Sequence, residues 1–87
     1  AEGDFISREL ILIKVHCPAA KRGEILTTVE LMQGKIVDFS ITSVTVEYCE
    51  CSSRVDTLVE LLKPYGIREI VRTGTVALDK GATAVSV

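Results

Sequence analysis

The chain has 87 residues, 47% hydrophobic and 25% charged, with a formal net charge of −2 and a pI near 5.3. That suffices for one domain with a thin, two-layer core, and it excludes a disordered polar segment and a cleft between two domains within this chain. A mildly acidic chain lacks the positive field of a non-specific nucleic-acid binder, and no apolar run reaches the roughly 18 residues of a membrane helix.

Residues 1–7 read as a flexible lead-in, with an acidic start and no signal-peptide apolar core. Arg8 to Cys17 is rich in β-branched and apolar residues and predicts a strand. Leu10 and Leu12 point one way, Ile11, Ile13 and Val15 the other, so this strand is apolar on both faces and belongs at the centre of a sheet. Pro18 ends it. From Lys21 to Met32, Ile25, Val29 and Met32 recur at helical spacing with Leu26 alongside, and Gly34 stands where a left-handed stop residue is expected.

Lys35–Ile41 and Val44–Cys49 then predict a β-hairpin about a tight connection at Thr42-Ser43. Ser52 or Ser53 is the expected cap of a second helix, with Asp56 as a capping-box partner. Val55, Leu58, Val59 and Leu62 form its apolar stripe, and Pro64 and Gly66 close it. Ile67–Thr73 predicts a fourth strand whose broken alternation at Ile70-Val71 suggests a bulge. Gly74 breaks it, Val76-Ala77-Leu78 either extends it or crosses its end, and residues 82–87 read as a loose tail.

The order βαββαβ over residues 8–81 predicts an α+β, ferredoxin-like two-layer sandwich: a four-stranded antiparallel sheet with both helices on one face. Strands one and three take the centre. The other sheet face is then bare, yet the central strand is apolar on both sides. An uncovered apolar face marks an interface with a protein partner, often a second copy, unless the linker or tail covers it.

Chemistry has weak support in these residues. Cys49-Glu50-Cys51 and His16-Cys17 hold candidate metal ligands, but an antiparallel first and third strand set the two groups at opposite ends of the sheet. His16 and Cys17 are strand neighbours and point to opposite faces, so they make a poor nucleophile and base. Asp38 and Glu47 read as solvated carboxylates of a hairpin. Neither a phosphate-cradling loop nor a nucleophile elbow occurs. RNA-binding domains of this strand order stack bases on central-strand aromatics, and the expected first strand has none. Three cysteines without other staples point to a reducing compartment rather than a disulfide scaffold. Lys63, Arg68 and Arg72 form a candidate anion site, with Glu60 and Glu69 near enough in sequence to neutralise them.

Several segments resemble one family. Arg8 to Val15 is similar to the RELxLIKV opening of the second domain of acetolactate synthase small subunits. Arg22-Gly23-Glu24-Ile25 resembles its RxEI helix start, and Gly34 to Ser40 its AKIVDxS strand. Leu61 to Gly74, followed by Val76-Ala77-Leu78, resembles its LLxPYGIxEIxRTGxVAL ending. The stretch Tyr48 to Ser53 departs from the family's usual Thr-Gly-Asp-type turn, and the Pro18-Ala19-Ala20 loop and Gln33-Gly34 are also unusual.

The resemblance implies a non-catalytic regulatory domain that associates with, and helps activate, the acetolactate synthase catalytic subunit in branched-chain amino acid biosynthesis. Thiamine diphosphate, magnesium and FAD would then belong to that partner, with no cofactor on this chain. The family's effector amino acids are bound by an amino-terminal ACT domain, absent here. The implied location is cytoplasmic, or plastid or mitochondrial in a eukaryote. Arg68, Glu69, Arg72, Thr73 and Gly74, charges on an edge strand beside a glycine break, are the candidate partner contacts. The alternative is a self-associating ACT-like domain that binds a small ligand at its own dimer interface.

Overall fold

The computed structural model describes residues 5–79, and the side chains of residues 6–78. The elements are β1 (Phe5–His16), α1 (Arg22–Met32), β2 (Lys35–Phe39), β3 (Ser43–Glu50), α2 (Ser52–Leu62), β4 (Ile67–Arg72) and β5 (Val76–Asp79). Short 3-10 turns at Ala19–Lys21 and Lys63–Tyr65 lead into α1 and out of α2. The expected βαββαβ order and antiparallel sheet are present, with the strands ordered β2-β3-β1-β4. A fifth strand adds to the expected four: Val76–Asp79 pairs with Phe5–Arg8 at the start of β1. The first strand is thus longer than the sequence predicts, beginning at Phe5 rather than Arg8. The expected loose tail at 82–87, and residues 1–4 of the lead-in, lie outside the described residues.

The core sits between the sheet and the helices. Ile11, Ile13 and Val15 of β1 are wholly buried, facing Tyr48, Val46 and Val44 of β3 in register. Ile25 and Val29 of α1 and Val55, Leu58 and Leu62 of α2 close over them. Full burial of each such side chain stabilises the fold by about 1.5–3 kcal/mol.

Local chemistry differs from expectation at three places. The left-handed residue after α1 is Gln33, at φ 68°, not Gly34. Glycine at 34 serves close packing instead, since a Cβ there would stand 3.1 Å from Val29 Cγ1 and 3.4 Å from Val46 Cγ1. Cys51, rather than either serine, is the N-cap of α2, with no side-chain cap bond to the helix, and Asp56 turns to Arg72 instead of back to the cap. The bulge in β4 falls at Arg68, where the pairing shifts from Lys14–Glu69 to Val15–Ile67, and not at Ile70-Val71. The hairpin is held by Ser40, whose hydroxyl accepts from the N–H groups of Thr42 (3.3 Å) and Ser43 (3.1 Å).

Candidate partner interface

Alternation along β1 divides the molecule. The odd-numbered residues face the helices. The even-numbered ones face the uncovered side, with Thr45, Glu47 and Cys49 of β3 and Glu69 and Val71 of β4 beside them. Both helices lie on the other side, so Leu12 is 39% exposed and Val71 55%. A shallow depression of about 180 Å³ between Leu12, Lys14, Thr45, Glu69 and Val71 marks this face. The apolar stripe continues past the main sheet. Beyond Glu9, β1 pairs only with β5, so residues 5–8 and 76–79 form a two-stranded arm. Ile6 opposes Leu78 there and Arg8 opposes Val76, leaving both β5 apolar residues 67% exposed.

The arm leaves the sheet at a fixed corner. Glu9 is the one buried charged residue among those described, at 5% exposure. Arg72 grips its carboxylate with two N–H groups and reaches Asp56 of α2 at 2.9 Å. The Arg72 hydrogen bonds, helped by the Gly74 N–H, hold the Glu9 carboxyl below the ordinary carboxylate range despite its burial. The hydrogen bonds that Arg72 donates to Glu9 and Asp56 push its own pKa upward in turn. Next to this pair, Thr73 N donates to Leu10 O at 3.0 Å, and Thr73 Oγ1 accepts from Leu10 N at 3.1 Å. Gly74 turns the chain at φ 84°, a conformation in which a side chain is strained.

The five residues expected from the sequence therefore fall in three places. Arg72, Thr73 and Gly74 form the internal corner, where the Arg8-Glu9-Leu10 and Arg72-Thr73-Gly74 stretches of the two family-like motifs meet. Glu69 lies on the open face, paired with Lys14 at 3.3 Å. Arg68 stands at the bulge towards the other end of β4, 2.9 Å from His16 Nδ1. No shared anion site results, because Lys63 pairs with Glu60 at 2.6 Å, Arg72 with Glu9 and Asp56, and Glu69 with Lys14.

Sequence reasoning missed Glu9 and Asp56 as Arg72's partners. The signal for Glu9 was present: in an odd-numbered set with Ile11, Ile13 and Val15, a carboxylate must find a cation. His16 and Cys17 lie opposite the Ser43 end of β3, with Cys17 N donating to Thr42 O, while Cys49 opposes Leu10 at the other end of the sheet. The two candidate metal-ligand groups therefore stand apart. The Cys51 thiol is held below its ordinary range, chiefly by the Ser53 hydroxyl 3.4 Å away.

Comparisons with known proteins agree. A family model described as the small subunit of acetolactate synthase matches residues 8–81. The acetolactate synthase small subunit of Mycolicibacterium smegmatis is 40% identical over 97% of this chain and 49% of its own length. That of Bacillus subtilis is 45% identical over 88% of this chain and 45% of its own length. The crystal structure of the Thermotoga maritima small subunit superposes with a TM-score of 0.86 at 33% identity, covering 93% of this chain and 50% of that one. The chain thus spans about half the length of the relatives it matches. With the motif stretches meeting at one corner and the fold shared, the chain belongs to the acetolactate synthase small-subunit family, as its carboxy-terminal domain.

Proposed function

We propose that this chain is a non-catalytic regulatory domain that docks on the acetolactate synthase catalytic subunit and helps activate it, in the biosynthesis of valine, leucine and isoleucine. The observation that carries the reading is the uncovered apolar face running from Leu12 and Val71 along the arm to Val76 and Leu78. A protein partner is the occupant such a face fits, with Lys14 and Glu69 giving polar register within it. The corner at Glu9, Arg72 and Gly74 acts from behind, fixing the angle at which the arm is presented. Thiamine diphosphate, magnesium and FAD belong to the catalytic subunit in this reading, and the complex works in the cytoplasm, or in a plastid or mitochondrion of a eukaryote. No described helix is long and apolar enough to cross a membrane.

The test is acetolactate formation by a cognate catalytic subunit with and without this chain. Activation by the chain, lost in Leu12→Lys with the fold retained, supports the reading. Activation unaffected by Leu12→Lys moves the contact elsewhere, and failure to activate or co-elute overturns the docking role for this domain alone.

A further inference from the structure

The junction between β3 and α2 carries two thiols that the partner contact does not use. Cys49 lies on β3, Cys51 is the N-cap of α2, and both are free, the first exposed and the second half-buried. Cys17 is wholly buried in the core towards the other end of the sheet.

The two thiols are not equivalent. Cys51 Sγ stands 3.4 Å from the Ser53 hydroxyl, which can donate to a thiolate. α2 has 11 residues, no acidic residue in its first turn and no side-chain cap bond, so its positive end faces Cys51 without an anion of its own. The Ser53 hydroxyl outweighs the opposing charge of Glu50, the residue between the two thiols. Cys49 is an exposed strand residue opposite Leu10, away from the helix end.

Their spacing allows a bond. Glu50 is still a strand residue, and positions two apart on an extended chain project to the same side. Cα atoms so placed are about 6.6 Å apart, near the upper end of the roughly 4.4–6.8 Å that a disulfide spans. A bridge here closes under tension without refolding, and a strained, exposed disulfide is readily reduced. The tension falls on the end of the β1–β3 ladder, where Cys49 and Glu50 pair with Leu10 and Glu9.

We propose that Cys51 and Cys49 form a reversible redox pair, in which a hydroperoxide oxidises Cys51 and Cys49 resolves it to a Cys49–Cys51 disulfide. The Cys51 thiolate attacks the terminal hydroperoxide oxygen. The S–O bond forms, the O–O bond breaks, and the leaving oxygen takes up a proton as an alcohol, or as water from hydrogen peroxide. Cys51 is then a sulfenic acid, oxidised by two electrons while the peroxide is reduced by two. The Cys49 thiol next attacks the Cys51 sulfur, forming the S–S bond and breaking the S–O bond, and its proton leaves with the hydroxyl as water. A dithiol resets the pair, entering at the exposed Cys49 sulfur and releasing Cys51 as the better leaving thiolate. The pair works on this chain alone, whatever the open face binds.

The test is hydrogen peroxide in small molar excess on the reduced chain at neutral pH, followed by peptide mass spectrometry. The expected product is an intramolecular Cys49–Cys51 disulfide with Cys17 still reduced, reversed by dithiothreitol. Cys49→Ser leaves Cys51 as a sulfenic acid that a 1,3-dione traps, and Cys51→Ser leaves Cys49 reduced on the same timescale. Ser53→Ala slows oxidation about threefold, and unfolding in urea removes the preference for Cys51. A chain whose Cys49 and Cys51 stay reduced, oxidise no faster than in urea, or link only to other chains overturns the proposal.

Discussion

The two faces of β1 are built from the same kinds of residue and have different fates. Ile11, Ile13 and Val15 are fully buried beneath the helices, whereas Leu12, between them in sequence, is 39% exposed with no layer above it among the described residues. Hydrophobicity alone does not separate a core residue from a docking residue; the layer that covers it does. An apolar residue that the fold leaves uncovered is available to a partner without loss of folding stability.

Substitution sharpens that contrast. Ile13→Ala, which opens a cavity under both helices, should destabilise the domain by about 2–5 kcal/mol, read from urea unfolding. Leu12→Ala, one residue away, should change stability by less than about 1 kcal/mol and lower activation of the catalytic subunit instead. Equal losses of stability at the two positions would erase the distinction between the faces.

Gly74→Val tests the corner at which the arm leaves the sheet. Open space surrounds the position, so the effect comes from backbone strain at φ 84°, on the order of 1–2 kcal/mol. It should also loosen the arm, seen as faster amide exchange at residues 76–78 with the core unchanged. Acid acts on the same corner. Glu9 is held below its unfolded value by Arg72, and Glu24 by the Tyr65 hydroxyl and then Lys21. Their contribution is present above the unfolded carboxylate range and is lost as pH falls through the lower folded values. Glu9→Gln should therefore flatten the acid limb of the stability profile, and an unchanged limb would remove Glu9 from the account. The smallest effect concerns the thiols: Cys51 should alkylate readily at neutral pH, while buried Cys17 should react only on unfolding, followed by mass spectrometry.

Much of this fold is legible in the sequence because burial obeys period. The stripes Ile25, Val29 and Val55, Leu58, Leu62 place both helices, and the alternation Val44, Val46, Tyr48 places β3. Features set by tertiary proximity are not. Gly34 reads as a helix stop, yet its small size answers to Val29 and Val46, the latter twelve residues away. Arg72 reads as a free surface cation because Glu9 is sixty-three residues distant in sequence and Asp56 lies on another element. The fifth strand escapes because it is only four residues long, with Val76 and Leu78 exposed, and only the overhang of β1 gives it a partner.

The position of β1 in the chain also governs how the molecule reaches this structure. It precedes every other strand, yet its ladder is completed by β3, β4 and β5, with the Leu10–Thr73 bonds closing a separation of sixty-three residues. Such non-local pairing slows folding, and during synthesis the run from Leu10 to Val15 emerges long before its neighbours exist. Until β4 arrives, that segment is an apolar, β-prone stretch with an open side, the kind that other nascent chains or a chaperone would capture. The central strand of the finished sheet is therefore the most vulnerable segment of the unfinished one.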